Sequence, residues 1–349
     1  MEKYNLVKIF RNKKVLITGH TGFKGAWLSL ILKVLGNEIY GLSDNKRKSG
    51  IYKVICSKGV FKKEFIGDIR DEKFINKSIK KLKIHIVFHF AAQGLVSEAN
   101  SKPRSTIETN IIGTYNLLQS CNDNNNIQLL VIATTDKVYE NHNHENTEKA
   151  KLGGKEFYSA SKASSEHIIQ AFINTKKRDT LSIGVVRAGN VLGGGDYAKD
   201  RILTDIISSL KKGEDIILRN PKSIRPWQYI LDSINGYLMV GQFCVENKVD
   251  SIFNLNSSEN NKNTVLSLAT KCRNNWGEHV KSEIKIDNSK SFYESNVLTI
   301  SSKKANRNLK WNAKYDLEEI CVNTIKYEQS REKYKFLVQH IKHFFGIDI

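Results

Sequence analysis

Two short segments carry side chains whose types and spacing can do chemistry together: Thr134-Thr135-Asp136-Lys137 and, downstream, Tyr158-Ser159-Ala160-Ser161-Lys162. A tyrosine and a lysine at this spacing project from one face of a helix. The ammonium is then expected to lower the phenol's pKa and stabilise the phenolate. That makes Tyr158 a base near neutral pH, and the two segments together can hold a hydride-transfer site. The Tyr-Lys spacing by itself is common on amphipathic helices, so its meaning depends on the elements that position it.

The first of these lies near the N-terminus. Residues 13–18 read as a buried strand that runs into Gly19-His20-Thr21-Gly22-Phe23-Lys24-Gly25 and then into an apolar helix ending near Leu35. Glycines at 19, 22 and 25 let the backbone turn tightly, approach a pyrophosphate and pack helix on strand, while the helix N-terminus offers free N–H groups to the anion. In this strand-to-helix context the turn predicts dinucleotide binding. The next strand, 38–42, ends at Ser43-Asp44, where an acidic residue meets the adenosine ribose of NAD. Lys46, Arg47 and Lys48 follow at once. They read either as a solvated basic turn or as a cradle for a 2′-phosphate, which leaves NAD and NADP both open.

Length and composition bound the class. A chain of 349 residues holds one nucleotide-binding domain and a smaller annex. It has no run of about eighteen apolar residues and no signal-peptide core at its start, so a cytoplasmic protein without a membrane span is expected. Five scattered cysteines, never spaced C-x-x-C, argue against a disulfide framework and a zinc site. They read as buried thiols, and no metal is expected. The formal net charge of +19 raises nucleic acid as a partner, but the lysines are spread evenly, without a basic and aromatic cluster that would track a phosphate backbone. A positive potential instead suits an anionic nucleotide substrate.

Strand, loop and helix alternate up to residue 187, the doubly wound pattern of an α/β fold with a parallel sheet. A strand at 63–66 leads to Gly67-Asp68-Ile69 and a helix to about Leu82, and Asp68 sits where a loop reaches an adenine. A buried strand at 84–90 delivers Ala91-Ala92-Gln93, small residues against which a cofactor can lie. Its His85 and His89 read as satisfied core histidines. A helix from about 103 to 121 and a strand at 128–133 follow, then a polar loop at 141–150 and the Tyr158 helix, about 155–176. Residues 1–187 are thus expected to form a Rossmann-type domain. Residues 188–349 are expected to be mainly an α/β substrate domain, with some segments returning to the first.

The motifs resemble those of the extended short-chain dehydrogenase/reductases, and within them the CDP-glucose 4,6-dehydratases. The resemblance spans nearly the whole chain. It is carried by Gly19 to Gly25, Ala91-Ala92-Gln93, Thr134 to Lys137, Gly153-Gly154 before Tyr158 to Lys162, Arg187-Ala-Gly-Asn-Val-Leu-Gly-Gly-Gly-Asp196 with Asp200-Arg201, and Arg225-Pro-Trp-Gln228. It implies bound NAD, a nucleotide-diphosphate hexose substrate and a homodimer built on helices 103–121 and 155–176. It also implies a mechanism. Tyr158, assisted by Lys162 and the Thr135 hydroxyl, takes the proton from the hydroxyl on sugar carbon 4 as a hydride passes to the nicotinamide. Water then leaves across carbons 5 and 6 with a proton from Asp136, and the hydride returns to carbon 6. Lys137 serves as the carbon-5 base if its pKa is depressed, or otherwise as a counter-charge to the enolate. The same resemblance puts Asn190, Asp200, Arg201 and Arg225 at the substrate. The glycine run 193–195 is read as a flexible loop, the guanidinium of Arg225 as suited to a diphosphate, and Leu309-Lys-Trp311, Leu317-Glu-Glu and the basic C-terminal helix as structural.

Departures from the pattern mark where the substrate is least defined. Gly94-Leu-Val-Ser-Glu-Ala-Asn100 replaces an arginine and a Ser-Tyr pair, Val138 a usual cysteine and Tyr229 a usual histidine. A nucleotide-sugar 4-epimerase would keep Tyr158 and Lys162 but has no need of Asp136-Lys137. A non-catalytic cofactor-binding regulator is disfavoured by the intact Tyr, Lys and Thr set.

Overall fold

Alternate side chains of each buried strand go to opposite faces of a sheet, and here each strand feeds two cores. In the computed structural model, which describes residues 9–140, 145–198, 200–257, 263–277, 279–287 and 299–347, Val15 and Ile17 enter one core and Leu16 the other. Leu129 and Val131 part from Leu130 and Ile132 in the same way. The strands in chain order are β1 Lys14–Thr18, β2 Glu38–Ser43, β3 Phe61–Ile66, β4 Ile86–His89, β5 Leu129–Ala133, β6 Ser182–Ala188, β7 Val191–Leu192, β8 Ile216–Leu218, β9 Gln228–Tyr229, β10 Ser251–Leu255 and β11 Ile284–Ile286.

Seven of them form one parallel sheet in the order β10-β6-β5-β4-β1-β2-β3. The order reverses between β1 and β4, so the connections leaving these two strands diverge and open a crevice at their carboxyl ends. One face is covered by helices Glu72–Lys80, Gly113–Asn122 and Phe157–Thr175. The other is covered by Phe23–Val34 and Ile230–Asn247, with Leu317–Gln329 and Lys333–Phe345 in the same continuous core. This is the doubly wound α/β fold. The chain beyond residue 187 contributes to it directly, since Ile230–Asn247 packs on β5 and β6 and β10 extends the sheet beside β6. β8 with β11, and β7 with β9, form two small parallel pairs outside it.

A buried ion pair joins the two halves of the site's scaffold. Arg187 at the end of β6 donates from Nε to both Glu166 oxygens at 3.0 and 2.9 Å, and Thr134 Oγ1 donates to Glu166 Oε1 at 2.6 Å. The Arg187 Nη1 reaches the Tyr139 hydroxyl at 2.8 Å and the Glu148 carbonyl at 3.1 Å.

Several expectations change. The described part of the polar loop, 145–150, is held in place, because Asn146 is buried and its carbonyl accepts from Asn254 and Ser301, while Glu148 Oε1 accepts from Asn254 N; residues 141–144 lie outside the described residues. Gly193 to Gly195 are buried rather than free to swing. A Cβ on Gly194 would fall 2.2 Å from the Tyr327 ring, and its carbonyl accepts from Trp27 Nε1 at 3.2 Å. The helix expected at 103–121 contains a π-turn at Glu108–Ile112 between Pro103–Ile107 and Gly113–Asn122. Cys56 is exposed, because it caps the short helix Gly50–Ile55 at the surface, while the other four cysteines are buried. His89 is a satisfied core histidine, 2.7 Å from Thr18 Oγ1 and 3.1 Å from Thr114 Oγ1, and burial lowers its pKa to about 3. His85 accepts from Lys14 N at 3.0 Å.

Candidate active site

The glycine turn leaves β1 with Gly19 at φ +71°, its N–H on the Leu42 carbonyl at 2.7 Å. A Cβ there would lie 2.7 Å from the backbone of Phe90 and Ala91, and one on Gly25 would lie 2.2 Å from the Gly19 carbonyl. Turn, helix and β4 therefore meet backbone to backbone, which only glycine permits. The helix Phe23–Val34 begins after Gly22 with no side-chain cap and no acid in its first turn. Its first N–H groups are left for an external anion. These features fit the diphosphate of a dinucleotide.

The rest of that crevice is built from strand ends. Thr21 is buried, its N–H 3.4 Å from Ser43 Oγ. Asp44 is exposed just after β2. Asp68 follows β3, and its carboxylate is bound by Arg70 at 2.6 to 3.0 Å, which holds it below the usual carboxylate range. Ile69 is buried against Gly113. After β4, Ala91 N–H lies 3.3 Å from Thr18 Oγ1, Ala92 is exposed, and Gln93 turns back on its own loop through Leu95, its N–H bound to Asn110 Oδ1 at 2.8 Å. His20, a mere spacer in the glycine motif, is buried under the turn with Ser43 Oγ and Glu64 Oε1 each at 3.0 Å. The absence of a Cβ on Gly41 is what admits its ring.

β5 delivers the second group. Thr135 caps the short 3-10 turn Asp136–Val138, accepting from Lys137 N at 3.3 Å and donating to Asp136 Oδ1 at 3.0 Å. Asp136 is buried and Lys137 half-buried. A Cβ on Gly189 would sit 3.2 Å from Pro226 and 3.3 Å from Asp136 Oδ2, so the ends of β6 and of the Arg225-Pro226 segment close on this acid.

The third group comes from helix Phe157–Thr175, started by a capping box in which Glu156 accepts from Tyr158 N and Ser159 N. The Thr135 hydroxyl stands close enough to Tyr158 to lower its phenol. Lys162 Nζ donates to the Ala133 carbonyl at 2.8 Å. The expected lowering of the phenol by Lys162 is not what sets its acidity. Desolvation pushes Tyr158 up to about 12, with Asp136 adding to the rise and Thr135 and Arg201 opposing it. Lys162 itself is lowered to about 8 by burial, with Glu166 opposing.

Lys24, expected only at the phosphate turn, joins this cluster. Burial, then Arg201, lowers it to about 8, and it also feels Asp136 and Lys162. Among the expected substrate residues, Arg201 pairs with Asp196 at 2.8 Å. Asp200 has a left-handed φ of +60° and accepts from Ser97 Oγ at 2.9 Å, so the departing segment 94–100 is tied to the opposite wall. Asn190 gives its carbonyl to Gln228 N at 2.9 Å. Arg225 is buried, with Nη1 on the Ile224 carbonyl at 2.9 Å. Trp227 is core, and Tyr229 bonds His340 of the C-terminal helix at 2.9 Å.

Three residues of the site were missed. Glu166 stands one helical turn beyond Lys162, a spacing that could have revealed it. Asn110 donates to Ser161 Oγ at 2.9 Å and to the Gln93 carbonyl at 3.0 Å, a role that depends on the π-turn. Tyr237 lies within reach of the charge on Tyr158, and nothing local in the sequence signals it. Among the described residues there is no cluster of three or more His, Cys, Asp or Glu able to hold a metal, and no helix long and apolar enough to cross a membrane.

Comparison with known proteins gives the family and the fold. A family profile described as GDP-mannose 4,6 dehydratase matches residues 16–324. The chain is 34% identical over 332 residues to the CDP-glucose 4,6-dehydratase of Salmonella typhimurium, covering 92% of each. Among solved structures it is similar to dTDP-glucose 4,6-dehydratase from Bacillus anthracis in complex with NAD, at TM-score 0.75 and 22% identity over 93% of this chain and 99% of that one. It is likewise similar to UDP-glucose-4-epimerase from Stenotrophomonas maltophila with bound NAD, at TM-score 0.75 and 21% identity over 95% and 100%. The two structural likenesses speak for the fold, and the first two matches for kinship: the chain belongs to the GDP-mannose 4,6 dehydratase family.

Proposed function

We propose that the chain is a nucleotide-sugar 4,6-dehydratase, a hydro-lyase that converts CDP-glucose to its 4-keto-6-deoxy product with NAD as bound cofactor. The observation that carries this reading is the convergence of Tyr158, Thr135 and a buried Asp136 at the crevice beside an uncapped dinucleotide turn, in a chain 34% identical to a CDP-glucose 4,6-dehydratase. The acid distinguishes it from a 4-epimerase, which needs no proton for a departing hydroxyl.

NAD, when bound, supplies a nicotinamide that takes two electrons and a hydrogen from the sugar and gives them back, so no net oxidant is consumed. Tyr158 takes the proton from the carbon-4 hydroxyl, with Thr135 sharing that hydrogen bond. Lys162, anchored on Ala133, holds a cation near the forming phenolate. Once carbon 4 is a ketone the hydrogen on carbon 5 is acidic, and Lys137 serves that step as base or as counter-charge. Asp136 gives its proton to the hydroxyl leaving carbon 6, and Thr135 aims the carboxyl by its 3.0 Å bond. Asn190, Asp200, Arg201 and Arg225 are proposed around the nucleotide sugar, and Asp44, Asp68, Ile69 and Ala91 to Gln93 along the dinucleotide.

Incubation of the NAD-loaded protein with CDP-glucose in deuterated water tests the reaction. The product should be lighter by one water and carry one deuterium at carbon 5; a product of unchanged mass would indicate epimerisation instead. The Tyr158→Phe variant should lose about a thousandfold in kcat while binding NAD as before.

Thr135 also sets a pH dependence. Its hydroxyl lowers a phenol that burial has raised to about 12, so Thr135→Val should raise that pKa further. The alkaline rise of kcat/KM should move to higher pH, and activity at neutral pH should fall by roughly a factor of ten if the profile moves by about one pH unit. A uniform loss with an unmoved profile would contradict the assignment.

We also propose a homodimer. Ile107, Ile112 and Tyr115 on the helices after Pro103 and Phe157 at the start of the Tyr158 helix are 40 to 48% exposed, apolar area that a second copy would cover. Light scattering should return twice the chain's mass, and a single chain's mass would refute it.

A further inference from the structure

Tyr237 lies on the helix Ile230–Asn247 with no exposed surface, and its hydroxyl has no hydrogen-bond partner among the described residues. Leaving a buried polar group so is destabilising. An orphan of this kind calls for a partner from outside the chain, and the residues around it say where that partner lies. Phe90, the residue before Ala91-Ala92-Gln93, packs edge-on against the Tyr237 ring at 5.0 Å between centroids. The ammonium of Lys24, from the first turn of the phosphate-turn helix, stands 5.7 Å from the ring centroid. Tyr158 is close enough for its charge to raise the Tyr237 phenol.

These neighbours come from the end of β4, the glycine turn and the catalytic helix. The three meet only on the β4 side of the crevice, where a dinucleotide running from the glycine turn toward Tyr158 places its nicotinamide. The adenosine half belongs on the other side, over the ends of β2 and β3, where Asp44 and Asp68 stand.

We propose that Tyr237 is a cofactor-binding residue whose hydroxyl hydrogen-bonds the nicotinamide-ribose half of the bound dinucleotide, an assignment that rests on NAD being the cofactor. Lys24 and Tyr237 then work as a unit, the ring face steadying the ammonium and the hydroxyl meeting the ligand. Tyr237→Phe keeps the ring, its packing on Phe90 and the contact with Lys24, and removes only the hydroxyl.

Calorimetric titration of wild type and Tyr237→Phe with NAD and with ADP, which lacks the whole nicotinamide-ribose half but keeps the diphosphate, separates the possibilities. The variant should bind NAD about fivefold to tenfold more weakly and ADP as wild type does. NAD binding equal to that of wild type would overturn the role of Tyr237 and leave the cofactor reading intact. Equal weakening toward both ligands would place the effect in packing or at the diphosphate, and would also overturn it. Failure of wild type itself to bind NAD would remove the cofactor reading and this assignment together.

Discussion

The site depends on one buried ion pair. Taking a carboxylate and a guanidinium out of water costs several kcal/mol each, and their attraction offsets this only when the geometry is good and the remaining donors and acceptors are filled. Glu166 and Arg187 meet that condition. The carboxylate accepts from Arg187 Nε and from Thr134, and the guanidinium donates further to Tyr139 and Glu148 and lies 4.9 Å over the Tyr139 ring. Glu166 stands one turn beyond Lys162 on the same helix, Thr134 precedes Thr135, and Arg187 ends β6. The pair therefore fixes the helix that carries Tyr158 against the strand ends that carry Thr135, Asp136 and Gly189. Loss of either partner would leave a buried charge uncompensated and free these groups from one another.

Strand order does the rest. Because the strand order reverses between β1 and β4, the glycine turn and the Ala91-Gln93 segment face one crevice, and β5 adds its Thr-Asp-Lys turn on the β4 side. The network around Glu166 then reaches outward through Tyr139, whose hydroxyl donates to Asn254 of β10 at 2.6 Å, and through Asn146 to the strand-like segment at Ile300. The C-terminal half of the chain is thereby bound to β5 and β6 by polar contacts as well as by core packing. Lys24 then stands within reach of Arg201, Asp136, Lys162 and Asp196, and its charge answers to all four.

Much of this was legible in the sequence because it is local. The glycine turn, the apolar runs of β1, β4 and β5, and the helical spacing of Tyr158 and Lys162 each declare themselves within about ten residues, and they gave the sheet, its crevice and the chemistry near it. What local reading missed was decided by distant partners. Gly193 to Gly195 read as a flexible loop, yet a side chain there would collide with Ile230, Tyr327 and Ile51, which come from elsewhere in the chain. Residues 145–150 look polar enough to be loose, but Asn146 and Glu148 satisfy buried groups of β10. The Tyr158 phenol was expected to be lowered by Lys162, whereas desolvation dominates once the fold closes around it. Tyr237 carried no signal at all, since its meaning lies in the hydrogen bond it lacks.

The central claim is that one site removes a hydrogen from carbon 4 and restores it at carbon 6 of the same sugar. CDP-glucose deuterated at carbon 4, mixed with an equal amount of unlabelled substrate differing in its carbon-13 content, tests this directly by mass spectrometry of the product. The account predicts deuterium at carbon 6, confined to molecules that began with it. Deuterium missing from carbon 6, or scrambled between the two pools, would contradict it.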